Sequence, residues 1–335
     1  MLLAGDVGGT KTLLGLFESR GTPPRRSGGQ PDRRPTMVAT HTYLTNAFAS
    51  FTDILNAFAH DTGGTAPIDA AVVGVAGPVV ANRARLTNIV WDISTQEIAR
   101  RLDVERVGLL NDLEAMANSV DVLAPEEVVL LQEGVPRADG NAAVIAAGTG
   151  LGQAYLHRVG TRLTPVASEG GHADFAARTD REIELVRMLR GLYGRAEIEH
   201  VLSGPGLLNL HRFTHRGGQC EVGQDLGPLD GPALISSAGL TGRCQGCSDA
   251  LKMFVAAYGA EAGNLALRGV TTSGLYVGGG IAPKILPALT NGAFMEAFLS
   301  KPPMTELLSK IPVKVILCAD AGLVGAAVHA QELLD

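Results

Sequence analysis

The sequence is poor in aromatic residues, cysteine and positive charge, and each shortage excludes a class of protein. Aromatic residues are 4% of the 335 positions while hydrophobic residues reach 46% with 42 glycines, which indicates an α/β core of small aliphatic side chains. Four cysteines in a chain this long do not form the disulfide framework of a small secreted domain, so we expect a reducing cytoplasm. A net charge of −6 argues against a nucleic-acid partner.

Long apolar runs are missing as well. The longest stretch, residues 68–80, is interrupted by Asp69, two glycines and a proline and is too short to span a bilayer, so no membrane partner is expected. The opening MLLAGDVGG lacks the basic leader of a secretion signal. The chain is too long for one small core, and we therefore expect two domains.

The most informative stretch is DVGGTKT, residues 6–12, which follows a short apolar run. We expect a strand over 2–7, a tight glycine turn and a second strand over 12–17. The paired glycines have no Cβ, so their backbone N–H groups can approach an anionic ligand closely. The following Thr and Lys add a hydroxyl and a cation, and the carboxylate of Asp6 is suited to Mg²⁺. Together these features predict phosphate binding, although many glycine turns merely connect strands.

The same unit recurs about 140 residues later. A strand is predicted over 142–147, followed by the turn AGTGLG and a further strand over 153–159. This repetition predicts an internally duplicated architecture with two phosphate-facing hairpins.

A third feature lies at the end of the strand predicted over 107–110, where Asn111 and Asp112 precede a predicted helix over 113–120. The carboxyl ends of strands are where open α/β sheets bind ligands. Asn and Asp are also favoured helix N-caps, so capping is the alternative interpretation.

The second half holds further candidates. In SEGGHADF, Glu169 and His172 flank a glycine pair in a loop, where polar side chains often serve ligands; a histidine bonded to backbone is the alternative. TDRE, residues 179–182, predicts a capping box. LYVGGGIAP, residues 275–283, predicts a strand and a turn that lets the flat ring of an adenine approach the backbone.

The segment 21–35, rich in Pro, Gly and Arg, is predicted to be a mobile loop between strands. The segment 216–232, rich in Gly and Pro, is predicted to be an exposed connector. Cys244 and Cys247 form a single CxxC. A zinc site there requires His211 or His215, together with Cys220, to complete it; the alternative is two thiols at the start of a helix.

Eight collinear blocks resemble the bacterial glucokinases, within the hexokinase/actin/Hsp70-like sugar kinase superfamily. They are DVGGT, TNIVWD, LLNDLEA, AAGTGLG, EGGHADF, VLSGPGLLNL, YVGGGIAPK and DAGLVGAA, and they span nearly the whole chain. The resemblance implies two RNase H-like α/β domains of the actin/hexokinase type with a cleft between them. It implies a small domain over 1–120 plus about 318–335 and a large domain over 121–317.

The resemblance also implies an ATP-dependent hexokinase that makes glucose 6-phosphate, with Asp112 as general base. The implied sugar-binding residues are Asn88, Asn111, Asp112, Glu169, His172 and Glu199. The implied nucleotide-binding residues are Gly5, Asp6, Val7, Gly8, Gly9, Thr10, Lys11, Gly148, Thr149, Gly150, Gly152, Gly278, Gly279 and Gly280. Asp6 is the implied Mg²⁺ ligand, and relatives are commonly homodimers.

Three details qualify the resemblance. Glu199, rather than Glu197, stands at the family's distance before VLSGPG. Lys11 stands where relatives carry Asn. The CxCGxxGC zinc cluster of the repressor/open-reading-frame kinases is missing from the sequence, although GGTKT is similar to theirs.

Kinases for other sugars, a sugar sensor and an ATPase are the alternative functions. A kinase for mannose, fructose or N-acetylglucosamine fits the same motifs, because they predict a hydroxyl-rich ligand better than its stereochemistry. A sugar-sensing regulator is expected to need a DNA-binding module, for which DVGGT leaves no room ahead of it. An ATPase of the actin/Hsp70 type does not account for the EGGH and NDLEA blocks.

Overall fold

The structure is a computed structural model that describes residues 1–19, 34–64, 67–86, 91–216, 218, 220–223 and 226–334. Asn88 and most of the 21–35 segment lie outside the described residues, as do four positions of the 216–232 segment. The chain divides into two compact units, residues 1–124 with 318–335 and residues 125–317. In the part of the chain described, no helix has both the length and the apolar character needed to cross a bilayer.

The strands are β1 (Leu2–Val7), β2 (Lys11–Phe17), β3 (Met37–Leu44), β4 (Ala70–Val75), β5 (Val79–Val80), β6 (Arg83–Arg85), β7 (Asp92–Ser94), β8 (Arg106–Asn111), β9 (Val128–Gln132), β10 (Ala142–Ala147), β11 (Leu151–Val159), β12 (Arg162–Ser168), β13 (Gly274–Gly278) and β14 (Val313–Ile316). The helices are α1 (Phe51–Asp61), α2 (Thr95–Leu102), α3 (Asp112–Ser119), α4 (Asp180–Tyr193), α5 (Gly204–Thr214), α6 (Gly231–Leu240), α7 (Gln245–Gly269), α8 (Leu286–Leu289), α9 (Ala293–Leu299), α10 (Thr305–Ser309) and α11 (Ala321–Glu332).

The first unit is built on a sheet with the order β3-β2-β1-β4-β8. Strands β1 and β2 form an antiparallel hairpin, whereas β4 lies parallel to both β1 and β8. Because side chains alternate along a strand, Leu2 and Ala4 face α11 while Leu3 and Val7 pack in the core that includes α1. The sheet is therefore covered on both faces. A small sheet, β5-β6-β7, accompanies it.

The second unit repeats this plan. Its sheet has the order β12-β11-β10-β13-β14-β9, in which β10 and β11 form the antiparallel hairpin and β13 lies parallel to β10 and β14. Leaving out β9, both sheets share the strand directions of an RNase H-like fold. The duplicated α/β architecture predicted from the two glycine turns is confirmed.

Helix α7 is the centre of the second core. It carries buried Phe254 and Tyr258 and packs against α5, α6 and α9. Gly259 lets α9 approach, since a Cβ at that position would lie 2.0 Å from the carbonyl oxygen of Phe294. The long apolar helix thus buries most of its surface within one unit.

Several predicted bounds shift for local reasons. The helical spacing of Phe48, Phe51, Leu55 and Phe58 predicts a helix over residues 46–59. In the structure the side chain of Ser50 accepts a hydrogen bond from the N–H of Asp53, and α1 begins only at Phe51. In TDRE, Thr179 does cap α4, yet Glu182 accepts from the N–H of Arg178 instead of closing the predicted box. The hairpin strands β2 and β11 begin before residues 12 and 153, because their turns are tighter than predicted.

The segment 216–232 is not simply exposed. Its side chains Cys220, Val222 and Leu226 pack against the core of the second unit, and α6 begins at Gly231. Leu229, in contrast, is 91% exposed. The prediction of an exposed connector is wrong for Cys220, Val222 and Leu226, because these side chains pack against a core formed by residues distant in sequence.

Candidate active site

In the first unit, two carboxylates act electrostatically on a third, which lies near the end of a parallel strand. Asp6 lies near the end of β1, Asp112 opens α3 directly after β8, and Asp320 precedes α11. Burial, and then the negative charges of Asp112 and Asp320, raises the pKa of Asp6 to about 6. The site therefore favours either a proton or a metal cation on Asp6.

The first turn of α11 lies against Asp6. A Cβ at Gly322 would stand only 2.8 Å from Oδ2 of Asp6, so a glycine is needed there for the helix to approach. The amino end of a helix carries a partial positive charge, which favours negative groups nearby. Asp320 is the first residue of the DAGLVGAA block and was not among the site residues predicted from the sequence.

The DVGGTKT turn is held by its own backbone and by a residue from beyond β3. The N–H of Gly8 donates to the carbonyl of Lys11 at 2.9 Å, and the hydroxyl of Thr45 donates to the carbonyl of Gly8 at 2.9 Å. Thr10 and Lys11 are exposed at the tip. Gly5 and Val7 are buried within β1, below the turn. The turn is thus fixed from below while its tip is accessible to a ligand.

Asn111 serves as a helix cap in the structure. Its Oδ1 accepts from the N–H of Leu113 at 2.8 Å, and its N–H donates to the carboxylate of Glu114 at 3.0 Å. Its Nδ2 donates to the carbonyl of Gly77 at 3.2 Å. Asn111 therefore positions the start of α3, where Asp112 is exposed.

The AGTGLG turn is the corresponding element of the second unit. The N–H of Gly148 donates to the carbonyl of Gly150, and the N–H of Gly204 at the start of α5 donates to the carbonyl of Gly148, both at 2.8 Å. Thr149 is exposed at the tip, and Gly152 lies in β11. The start of α5, which is distant in sequence, therefore supports this turn.

Glu199 contacts the AGTGLG turn directly. Its Oε2 accepts from the N–H of Leu151 at 2.8 Å, and its own N–H donates to the carbonyl of Gly171 at 2.9 Å. A Cβ at Gly150 would lie 2.6 Å from the same Oε2. The EGGH loop, Glu199 and the glycine turn are consequently one connected set.

The neighbouring Glu197 has a different partner. It lies 2.8 Å from Nδ1 of His172, and this hydrogen bond raises the pKa of His172 and lowers that of Glu197. Arg195 also lies 3.4 Å from Glu197. Glu169 is exposed at the start of the short Gly170–His172 turn of helix. Glu197 is a positioning residue for His172, which spacing alone did not reveal.

The third glycine turn stands beside the second. Gly279 has a φ of +84°, in the left-handed region, and a Cβ there would lie 2.4 Å from the carbonyl of Ala147. The buried hydroxyl of Tyr258 accepts from the N–H of Ala147 at 3.1 Å and lies 3.3 Å from the carbonyl of Gly278. Gly280 is exposed at the tip. Tyr258, another residue that sequence reasoning missed, joins the ends of β10 and β13.

The structure thus gathers the predicted residues within each unit. In the first, the DVGGTKT turn follows β1, Asp112 follows β8, and the charges of Asp112 and Asp320 act on Asp6. In the second, the sugar-binding candidates and both remaining glycine turns form a connected set. A signal for the missed Asp320 is its place between β14 and α11, because strand-to-helix junctions carry ligand-binding side chains in α/β sheets.

A family model and the curated relatives identify the same family. The family model described as Glucokinase matches residues 3–333. A glucokinase of Synechocystis sp. is 37% identical over a 352-residue alignment that covers 98% of this chain and 98% of that protein.

Solved structures show the same fold. A glucokinase from an Antarctic psychrotroph superposes with a TM-score of 0.85 at 28% identity, covering 99% of this chain and 98% of that one. A ROK family glucokinase from Streptomyces griseus, in complex with glucose and AMPPNP, gives a TM-score of 0.65 at 22% identity over 99% of each chain.

Proposed function

This chain belongs to the glucokinase family, and from that premise we infer that it transfers the terminal phosphoryl group of ATP to the 6-hydroxyl of glucose. The observation that carries this inference is the family match over residues 3–333, which includes both phosphate-facing turns and every carboxylate of the site. The fold relative from Streptomyces griseus that holds glucose and AMPPNP supports ATP as the donor.

We propose Asp112 as the general base. It is exposed at the start of α3, and its charge acts on Asp6 at the end of β1. Phosphoryl transfer needs mainly alignment and charge neutralisation, so the base takes the proton of the 6-hydroxyl late, as the new P–O bond forms. Asn111 holds Asp112 in place through its cap of α3.

We propose that Asp6 holds Mg²⁺, directly or through water. Oxygen ligands suit this hard cation. Burial, and then the charges of Asp112 and Asp320, raises the pKa of Asp6, and a bound divalent cation would offset that cost of holding a buried carboxylate ionised. When bound, Mg²⁺ would neutralise charge on the polyphosphate of ATP. The backbone of Gly8 and Gly9 and the side chains of Thr10 and Lys11 would bind the same phosphates.

The second unit supplies the remaining contacts in this proposal. Gly148 to Gly152 would bind the phosphates, and Gly278 to Gly280 would face the adenosine. Glu169, His172 and Glu199 would bind the sugar hydroxyls, with Asn111 and the predicted Asn88. A sugar that lacks one of the hydroxyls bound by a carboxylate or imidazole would bind more weakly, because a buried polar group of the protein then stays unpaired.

A coupled assay with glucose, mannose, fructose and N-acetylglucosamine tests the activity. We expect the highest kcat/KM for glucose. Brisk turnover of another sugar without turnover of glucose would establish the alternative kinase, and sugar binding without any turnover would indicate a sensor.

The role of Asp112 is tested with the variant Asp112→Asn. We expect a loss of at least about 100-fold in kcat with ATP binding retained, since general bases contribute on that order. Asp103→Asn is the matched control: Asp103 is exposed at the left-handed C-cap of α2, a conformation that Asn adopts equally well. Near-normal turnover of Asp112→Asn would refute the assignment.

We further propose a homodimer that works in the cytoplasm, as the resemblance to bacterial glucokinases implies. Reduced thiols and the supply of ATP both favour that compartment. Analytical ultracentrifugation is expected to give twice the mass of the 34.8 kDa chain, and a monomer at all concentrations would contradict the proposal.

A further inference from the structure

A cluster of thiols and imidazoles lies in the second unit, away from the residues assigned to catalysis. His211 and His215 stand one turn apart at the end of α5, Cys220 follows them, and Cys244 and Cys247 flank the start of α7. Within it, one ligand atom each from His211, His215, Cys220 and Cys247 lies within 4.8 Å of the others. His211, Cys244 and Cys247 are buried.

The distances within this cluster resemble those around a tetrahedral ion. Sγ of Cys220 lies 3.8 Å from Sγ of Cys247 and 3.8 Å from that of Cys244. In a tetrahedron with Zn–S bonds of about 2.3 Å, neighbouring sulfurs stand about 3.8 Å apart. A disulfide needs about 2.05 Å, so the sulfur separations fit shared coordination better than a bond.

The imidazoles are turned toward the thiols. Nε2 of His211 lies 3.2 Å from Sγ of Cys220, within a few tenths of the separation of about 3.5 Å that a shared zinc ion gives. Nε2 of His215 lies 3.2 Å from Sγ of Cys244. Nδ1 of His215 donates to the carbonyl of His211 at 2.9 Å, which leaves the lone pair on Nε2 for a metal. This is the backbone bond that orients many metal-binding histidines.

The backbone is adapted to this arrangement. A Cβ at Gly246, between the two cysteines of the CxxC, would lie 2.5 Å from Nε2 of His215. The hydroxyl of Thr214 donates to the carbonyl of Gly246 at 2.9 Å and joins the end of α5 to the start of α7. The sequence at both places permits the close approach that the cluster requires.

We propose that His211, His215, Cys220 and Cys247 form a structural zinc site, with the Cys244 thiol beside it. Two thiolates and two imidazoles are a common donor set for tetrahedral Zn²⁺, and four protein ligands leave no open position for catalysis. The site lies outside the sugar- and nucleotide-binding residues proposed above.

The zinc ion would tie three segments together. Residues 220–223 have no regular secondary structure to hold them, and coordination supplies stability that a short apolar contact does not. Helix α5 would be held at both ends, since its first residue, Gly204, supports the AGTGLG turn through the carbonyl of Gly148. Loss of the metal is therefore expected to loosen α5 and, less directly, that turn.

The test begins with the wild-type chain purified from zinc-supplemented medium. Elemental analysis after dialysis is expected to find about one zinc per chain, and replacement by Co²⁺ is expected to give thiolate-to-cobalt charge-transfer absorption of a tetrahedral site. A chain without stoichiometric zinc that also shows no such band with Co²⁺ would overturn the proposal. So would a disulfide among Cys220, Cys244 and Cys247 in protein purified without oxygen.

Variants then test the ligands. Cys220→Ser and Cys247→Ser are expected to lose the metal, whereas Cys318→Ser and His60→Gln, which lie in the first unit, are expected to keep it. Cys244→Ser is expected to retain zinc, because Cys244 is not an assigned ligand. If Cys244→Ser loses zinc while His211→Gln retains it, the assignment of the four ligands is wrong. Where a variant fails to fold, the wild type is tested instead. A chelator is expected to lower its Tm, and added Zn²⁺ is expected to restore it; an unchanged Tm would contradict the site.

Discussion

The carboxylate of Glu199 accepts a hydrogen bond from the backbone N–H of Leu151 at 2.8 Å. A predicted sugar-binding residue is thereby joined to the glycine turn predicted to bind phosphate. A Cβ on Gly150 would lie only 2.6 Å from the same carboxylate oxygen. A change at either residue is expected to affect both substrates.

Replacing Glu199 by Gln removes the charge of this acceptor while keeping its shape. Because hydrogen bonds to charged groups contribute more than neutral ones, we expect kcat/KM for glucose to fall about 10- to 100-fold. A smaller rise in KM for ATP should accompany it. Steady-state kinetics measures both, with Glu184→Gln on the exposed face of α4 as control. Unchanged constants for Glu199→Gln would contradict the proposed sugar contact.

Substitutions at two glycines of the same turn distinguish an effect on packing from an effect on ligand binding. A Cβ at Gly150 meets Glu199 at 2.6 Å, whereas a Cβ at Gly148 meets nothing within 4 Å. We therefore expect Gly150→Ala to displace Glu199 and raise KM for glucose, and Gly148→Ala to leave glucose binding unchanged. If Gly148 faces the phosphates, its variant raises KM for ATP alone. Equal effects of both variants on glucose would count against this account.

The His172–Glu197 pair predicts a pH dependence. The hydrogen bond to Glu197 favours the imidazolium form and raises the pKa of His172, so its stabilisation is complete below the ordinary histidine pKa and is lost as pH rises through the raised value. In Glu197→Gln the pKa of His172 is expected to fall. Histidine NMR shifts followed across about pH 5 to 9 measure this change. The same pKa in both proteins would show that the pair does not form.

Two helical glycines of the second unit predict opposite effects on stability. A Cβ at Gly259 would lie 2.0 Å from the carbonyl of Phe294, so Gly259→Ala is expected to lower the free energy of unfolding by about 1–3 kcal/mol. A Cβ at Gly191, in α4, meets nothing within 4 Å, so Gly191→Ala is expected to raise it by about 0.5–1 kcal/mol. Urea unfolding measures both values. A stable Gly259→Ala would show that α9 moves freely away from α7.

Much of the fold was predictable because its signals are local. Strands β1 and β10 have the predicted bounds, since apolar runs ending at glycine turns specify buried strands. The recurrence of strand, glycine turn and strand predicted the duplication. The positions of Asp6 and Asp112 relative to their strands also followed from sequence order alone.

Other features depended on residues that are distant along the chain. The partnership of Glu197 with His172, the contact of Gly322 with Asp6 and the bridge that Tyr258 makes between β10 and β13 leave no local pattern. Each contact depends on which elements pack together. The spacing of apolar residues along a helix or strand shows which face is buried, but not which distant side chains it meets.

The cysteine cluster shows the division most clearly. By itself, the sequence determined the local strand–turn–strand units with their glycine turns. It also determined the residue types that a zinc site or a kinase requires. Only the tertiary structure decided that α5, the segment after it and α7 converge, which brings His211, Cys220 and Cys247 within reach of one ion. Chain connectivity sets local geometry, whereas burial of apolar surface sets which distant segments meet.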